Sequence, residues 1–208
     1  MNTKNWVKTM TTLCEICDRA RSAFLGNNRD IAIKSKETAE DLLAKLNLYK
    51  TEAGIESGST LSLCDALSSI CELMLDIVDN VEKKIEKRIL FSSNAVLEVS
   101  YLFTQTRSLL ETTQDYINFT NSFMFDLFKE NQAGFDTLYE KFVRNHQDRL
   151  AKGICLSDRA TIYLNILSDM RSISMILMKI IFMEPAISES NKGIPGNLNP
   201  DISLPSRP

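Results

Sequence analysis

The chain has 208 residues, with 24 lysines and arginines against 27 aspartates and glutamates and a net charge of −3. That balance gives no electrostatic reason to bind nucleic acid, and no basic run is long enough to recruit an anionic lipid surface. Its 44% hydrophobic content suits a globular protein with one core or two small ones, and no apolar stretch reaches the ~18 residues of a membrane span.

In chain order, apolar periodicity predicts six helices. The first covers about residues 5–25 and stops at "GNNRD"; the second covers about 30–52. After "GIESGS" a third runs over about 60–90, with Leu63, Leu67, Ile70, Met74, Ile77, Val81 and Ile85 on one stripe. "FSSN" offers Ser93 or Asn94 as an N-cap for a fourth helix over about 95–130. A fifth covers about 132–151 and ends before "KGIC"; the sixth covers about 157–183. No window alternates with period two, so no sheet is expected. All five prolines fall in the last 24 residues. Proline breaks helix interiors, so its absence before residue 185 favours long helices. The Pro-rich segment "EPAISESNKGIPGNLNPDISLPSRP" reads as a flexible tail.

Six helices in two sets of three suggest a duplication. "ETAED" (Glu37 to Asp41) in the second helix has a counterpart in "QAGFD" (Gln132 to Asp136) in the fifth, 95 residues on. "ELMLD" (Glu72 to Asp76) in the third matches "RSISM" (Arg171 to Met175) in the sixth, 99 residues on. One change of loop length accounts for the difference. The expected fold is therefore all-α: two tandem three-helix bundles of antiparallel helices, residues 1–92 and 93–183, followed by the tail at 184–208.

Carboxylates at i and i+4 leave a helix on the same face, one turn apart. Two such pairs on neighbouring helices supply oxygen donors suited to iron, manganese or magnesium. On a helical wheel Glu72 and Asp76 lie opposite the Ile70/Met74/Ile77 seam. That placement fits a surface metal cluster and a solvated helix face equally well.

The third and sixth helices resemble the hallmark of the PhoU-like domains, D-L-E-R-I-G-D-H-A-x-N-I. "ELMLDIVDNV" keeps Glu72 and Asp76 in an apolar frame, and "DMRSISMILMKI" keeps Asp169, Ile173 and Ile180. "RNHQDRLAKGIC", residues 144–155, is similar to a His, Arg-Leu, Gly, Cys stretch in the cotransporter-type members of that family. The resemblance covers about residues 8–183. It implies two three-helix bundles that hold metal, iron or another divalent cation, through E/D-x-x-x-D pairs. Carried over position by position, the ligands are Glu37, Asp41, Glu72 and Asp76; the second repeat keeps only Asp136, because Gln132, Arg171 and Met175 replace the others. It further implies a non-enzymatic regulator or accessory protein of phosphate uptake in the cytoplasm, peripheral to the inner membrane at most. Its partner would be a membrane phosphate transporter or that transporter's regulatory kinase, and its assembly a homodimer. Two rivals remain: a helical scaffold that has lost metal binding, and a carboxylate-bridged metalloenzyme, which such bundles usually build with Glu-x-x-His ligands. The second and third helices contain no histidine.

The remaining chemistry is sparse. His146 is the only histidine, in a polar stretch of the fifth helix, and is expected to be structural. Cys14 and Cys17 form a C-x-x-C with no second pair and no βαβ context; they and Cys64, Cys71 and Cys155 read as reduced packing thiols. No phosphate-binding glycine loop and no nucleophile elbow is present. Phe119, Phe123, Phe125, Phe128, Phe135, Tyr139 and Phe142 crowd the junction of the fourth and fifth helices, as core or in part as a partner-binding patch.

Overall fold

The computed structural model describes residues 3–52, 58–119, 122–153 and 157–183. Six helices form there and no strand: α1 (Thr3–Gly26), α2 (Arg29–Glu52), α3 (Gly58–Glu86), α4 (Ser93–Phe119), α5 (Ser122–Ala151) and α6 (Ser157–Phe182). The Pro-rich tail and Cys155 lie outside the described residues.

Local chemistry sets the helix ends. α1 stops because Asn27 takes a left-handed φ of 49°, which asparagine tolerates better than most side chains. Asn28 then starts α2, its Oδ1 accepting from the Ile31 N–H at 3.1 Å. α3 is shorter than expected and ends at Glu86, because Arg88 turns the chain with φ 50°. Ser92, rather than Ser93 or Asn94, caps α4: its Oγ accepts from the Ala95 N–H at 3.3 Å. The largest departure is the α4–α5 boundary. α4 ends at Phe119, so Phe123 to Glu130 open α5 instead of closing α4. No glycine or proline marks that junction, only "TNS", and both flanking stripes continue the apolar pattern.

Both sets of three helices contribute to one continuous core. Within the first set α2 packs on α1 and α3; within the second, α4 packs on α5 and α6. Between sets, α1 lies against α4 and α3 against α6. The α1–α4 seam is antiparallel, tied by Arg107 to Asp18 at 2.7 Å, Arg21 to the Ser100 hydroxyl at 3.1 Å and Gln114 to the Thr11 hydroxyl at 3.2 Å. The buried stripe read on α3 is present as Leu63, Leu67, Ile70, Met74, Ile77 and Val81. Each such side chain taken from water stabilises the fold by about 1.5–3 kcal/mol.

The aromatic cluster divides. Phe128, Phe135 and Phe142, spaced by sevens along α5, are core. Phe119 and Phe123 stay 63% and 68% exposed, near the end of the bundle where Phe125 meets Phe182 edge-on at 5.5 Å. Cys14, Cys17, Cys64 and Cys71 are buried free thiols. Burial pushes the thiols of Cys14 and Cys71 up to about 12, and the Cys71 thiol donates to the Ala39 carbonyl at 3.0 Å. An aromatic disulfide reagent added to native protein at pH 8 is therefore expected to modify none of these four, and to reach them after unfolding. Rapid native labelling of Cys14 or Cys17, located by peptide mapping, would show that the C-x-x-C is reactive.

Candidate functional site

Glu37 and Asp41 sit on α2, Glu72 and Asp76 on α3, and all four are exposed. The two helices run antiparallel, cross-linked by Lys36 to Asp79 at 2.7 Å and Lys50 to Asp65 at 3.0 Å. That register brings the Glu37/Asp41 and Glu72/Asp76 turns to the same level of the α2–α3 pair. Asp41 also borders a polar cleft of about 370 Å³ between α1 and α2, beside Lys8, Lys45 and Tyr49. Among the described residues, however, no three His, Cys, Asp or Glu side chains converge as a metal-holding group. The donor set has the right chemistry for a hard cation, but no assembled cage stands on this face.

Asp76 has a neighbour that the i,i+4 reading did not include. Asp169 of α6 faces α3, and its carboxyl is pushed from 3.8 up to about 6, first by burial and then by repulsion from Asp76. The sign follows from proton counting. Between pH 3.8 and about 6 the folded chain holds a proton on Asp169 that the unfolded chain has released, so stability falls as pH rises through that window. Asp169→Asn is expected to stabilise the protein at pH 7 by about 1 kcal/mol, after discounting for partial solvent access. The gain should vanish below about pH 4. Urea unfolding in a chelator-containing buffer measures it; an equal gain at both pH values would disconnect Asp169 from this titration.

α5 and α6 carry the residues that the 95- and 99-residue offsets set against these carboxylates. Gln132 donates to Asp136 Oδ2 at 2.7 Å, and Arg171 Nε stands 3.7 Å from Asp136 Oδ1 with its guanidinium 4.6 Å over the Tyr139 ring. Met175 is exposed. The residues 95 and 99 positions after Asp41 and Glu72 are thus brought together as an ion pair. Being substantially exposed, the pair is worth no more than about 1 kcal/mol.

The most highly organised polar site is one that sequence reasoning missed. Glu98 of α4 is 7% exposed and accepts four hydrogen bonds. Arg149 of α5 grips it with two, at 3.1 and 2.7 Å; Asn145 adds one at 2.9 Å and the Tyr163 hydroxyl of α6 one at 2.6 Å. Burial alone would raise the Glu98 carboxyl, but the bonds from Arg149, Tyr163 and Asn145 outweigh it and hold it below the usual range. His146, 1% exposed, stacks on Tyr163 with ring centroids 4.5 Å apart. Burial, and then the Arg149 charge, lower its pKa, so its imidazole is neutral at pH 7. The network ties α4, α5 and α6 together from inside. The signal for it was present: Glu98 is a lone acid on the stripe of Ala95, Leu102 and Leu109.

These features define a class, helical proteins of two fused three-helix bundles with polar ties inside the second. No protein-family model and no curated protein sequence matches the chain. Its fold does match. It superposes on a PhoU-like phosphate regulatory protein from Shewanella oneidensis MR-1 with a TM-score of 0.70, covering 90% of this chain and 96% of that one at 11% identity. PhoU from Pseudomonas aeruginosa gives a TM-score of 0.67 with the same coverage at 12% identity. The chain therefore has the PhoU-like fold, and at these identities the likeness is one of fold.

Proposed function

We propose that this protein regulates or accompanies phosphate uptake by binding, with no catalytic step of its own. Its partner on this reading is a membrane phosphate transporter or the kinase that controls one, met at the cytoplasmic face of the membrane. The observation that carries the reading is the fold shared along 90% of the chain with two proteins of the PhoU type. No helix among the described residues is long and apolar enough to cross a membrane. The test is radiolabelled phosphate uptake in source cells lacking the gene, with and without plasmid-borne protein. Altered uptake that the plasmid restores supports the role; unchanged uptake at both high and low external phosphate rejects it.

The metal part of the reading rests on Glu37, Asp41, Glu72 and Asp76. With no three-donor group assembled, a bound iron or other divalent cation would have to draw the two carboxylate pairs together. Elemental analysis of untagged wild type against Glu72→Ala/Asp76→Ala decides it. Stoichiometric metal lost in the double variant supports a first-repeat site. No metal in either protein selects the second reading, a regulatory scaffold without metal, which the Arg171–Asp136 ion pair in the second repeat already favours.

A further inference from the structure

The last two turns of α3 carry charges of both signs, and the fold sorts them. Asp79 and Glu82 point to α2, where Lys36 lies 2.7 and 3.8 Å away, and Glu86 meets Arg29 at 2.8 Å. Lys84 turns inward and donates to the Phe24 carbonyl at 3.0 Å. Lys83 and Lys87, one turn apart, are left exposed on the side toward α6, with no salt bridge among the described residues. There they line a cleft of about 520 Å³ with Asn80, and with Arg159, Ile162 and Asn165 of α6. No carboxylate is among its described lining residues. The linear sequence hides this patch, because Glu82 and Glu86 alternate with the lysines; only their neutralisation by α2 and Arg29 leaves a basic face.

Arg159 makes the cleft more than a charged surface. It donates to the Leu90 carbonyl at 3.1 Å and so is held in place over the link between the two helix sets. On its other side it borders a small cavity of about 30 Å³ that also touches Ser92, Arg149 and His146. Both imidazole nitrogens of His146 are buried with no hydrogen-bond partner. A buried polar group without a partner is costly unless something fills the space beside it. Two cations with no acid partner among the described residues, a third fixed by a backbone carbonyl and two carboxamides therefore converge on one cleft at the α3–α6 seam, and the unpartnered imidazole lies in the neighbouring small cavity that Arg159 also borders. Its volume falls in the range of small-molecule sites, and ammonium and guanidinium groups so placed recognise phosphoryl oxygens through charge-assisted hydrogen bonds.

We infer that the α3–α6 cleft binds a multiply charged phosphate group, held by Lys83, Lys87 and Arg159. Such a group reaches the cleft on a free phosphate compound or on a lipid headgroup, and the chemistry of recognition is shared. The inference stands on the charge and shape of the cleft and does not require the role in uptake. The experiment is calorimetric titration of the whole protein with inorganic pyrophosphate, set beside co-sedimentation with phosphatidylglycerol vesicles in phosphatidylcholine. Lys83→Gln/Lys87→Gln is compared with Lys34→Gln/Lys141→Gln, which removes the same charge from exposed positions elsewhere. Both variants change only exposed side chains and are checked for unchanged helicity and melting. Pyrophosphate binding weakened at least tenfold by the first variant and unchanged by the second is the expected result, and assigns a free phosphate compound. Vesicle binding alone, with the same dependence on Lys83 and Lys87, keeps the site and assigns it to headgroups. Binding of neither, or binding weakened equally by both variants, overturns the inference.

Discussion

Arg149→Met is expected to destabilise the protein by about 3–5 kcal/mol, the loss typical of breaking one side of a buried ion pair. For a chain of this size that is a fall in melting temperature of roughly 10 °C. The reason lies in what remains. Glu98 is 7% exposed and loses both guanidinium bonds, keeping only Tyr163 at 2.6 Å and Asn145 at 2.9 Å. Its carboxylate is then a buried charge without its countercharge, and its pKa rises. The wild type holds Glu98 below the ordinary value of 4.5, so the network's contribution is complete above that pH and is lost only as pH falls through the depressed value. Arg149→Met should therefore flatten the acid limb of the stability profile as well as lower the plateau. Glu98→Gln/Arg149→Met removes both charges and should recover part of the loss, because apolar or neutral replacement of a whole buried pair is often tolerated. Denaturant unfolding of the two single variants and the double gives the coupling directly. A loss under about 1 kcal/mol for Arg149→Met would mean that water reaches Glu98 and the network is not a tie.

That network marks where sequence reasoning ran out. The six helices were legible because an apolar stripe repeats through each and proline is absent before residue 185. Asp136 and Arg171, which stand 95 and 99 residues after Asp41 and Glu72, meet as an ion pair. The α4–α5 boundary was not legible, because "TNS" interrupts two apolar patterns that happen to run on in phase. Glu98 was overlooked although it lay in plain view. Acids paired at i,i+4 are the more conspicuous pattern, whereas the stronger physical signal is one acid on a core stripe, which has to find partners from other helices. Asn145 and Arg149, polar side chains one turn apart on α5, supplied the matching clue. What the chain could not disclose is which of several similar lysines does what. Lys83, Lys84 and Lys87 stand interleaved with Glu82 and Glu86, and only tertiary packing separates an exposed pair from a buried lysine.

The buried one carries the second large effect. Lys84 is 4% exposed; its ammonium donates to the Phe24 carbonyl and to the Asn27 side chain and lies 4.7 Å over the Phe24 ring. It closes the C-terminal turn of α1, whose last carbonyls have no partners within the helix. Lys84→Met keeps most of the apolar stem and removes the ammonium, leaving a buried acceptor unmet, at a cost of about 1–3 kcal/mol. Burial lowers the Lys84 pKa below its ordinary 10.5, which fixes the sign of the pH dependence. Between the lowered value and 10.5 the unfolded chain holds a proton that the folded chain has shed, so this lysine's contribution grows as pH rises through that window. A surface salt bridge behaves in the opposite way, weakening as its lysine loses charge. Urea unfolding of wild type and Lys84→Met at pH 7 and at about pH 10 therefore discriminates between them, since every other alkaline titration is common to both proteins and cancels. A gap that widens at high pH identifies Lys84 as a buried cap working against its own desolvation; a gap that closes would make it an ordinary solvated charge, and α1 would then need another source for its closing turn.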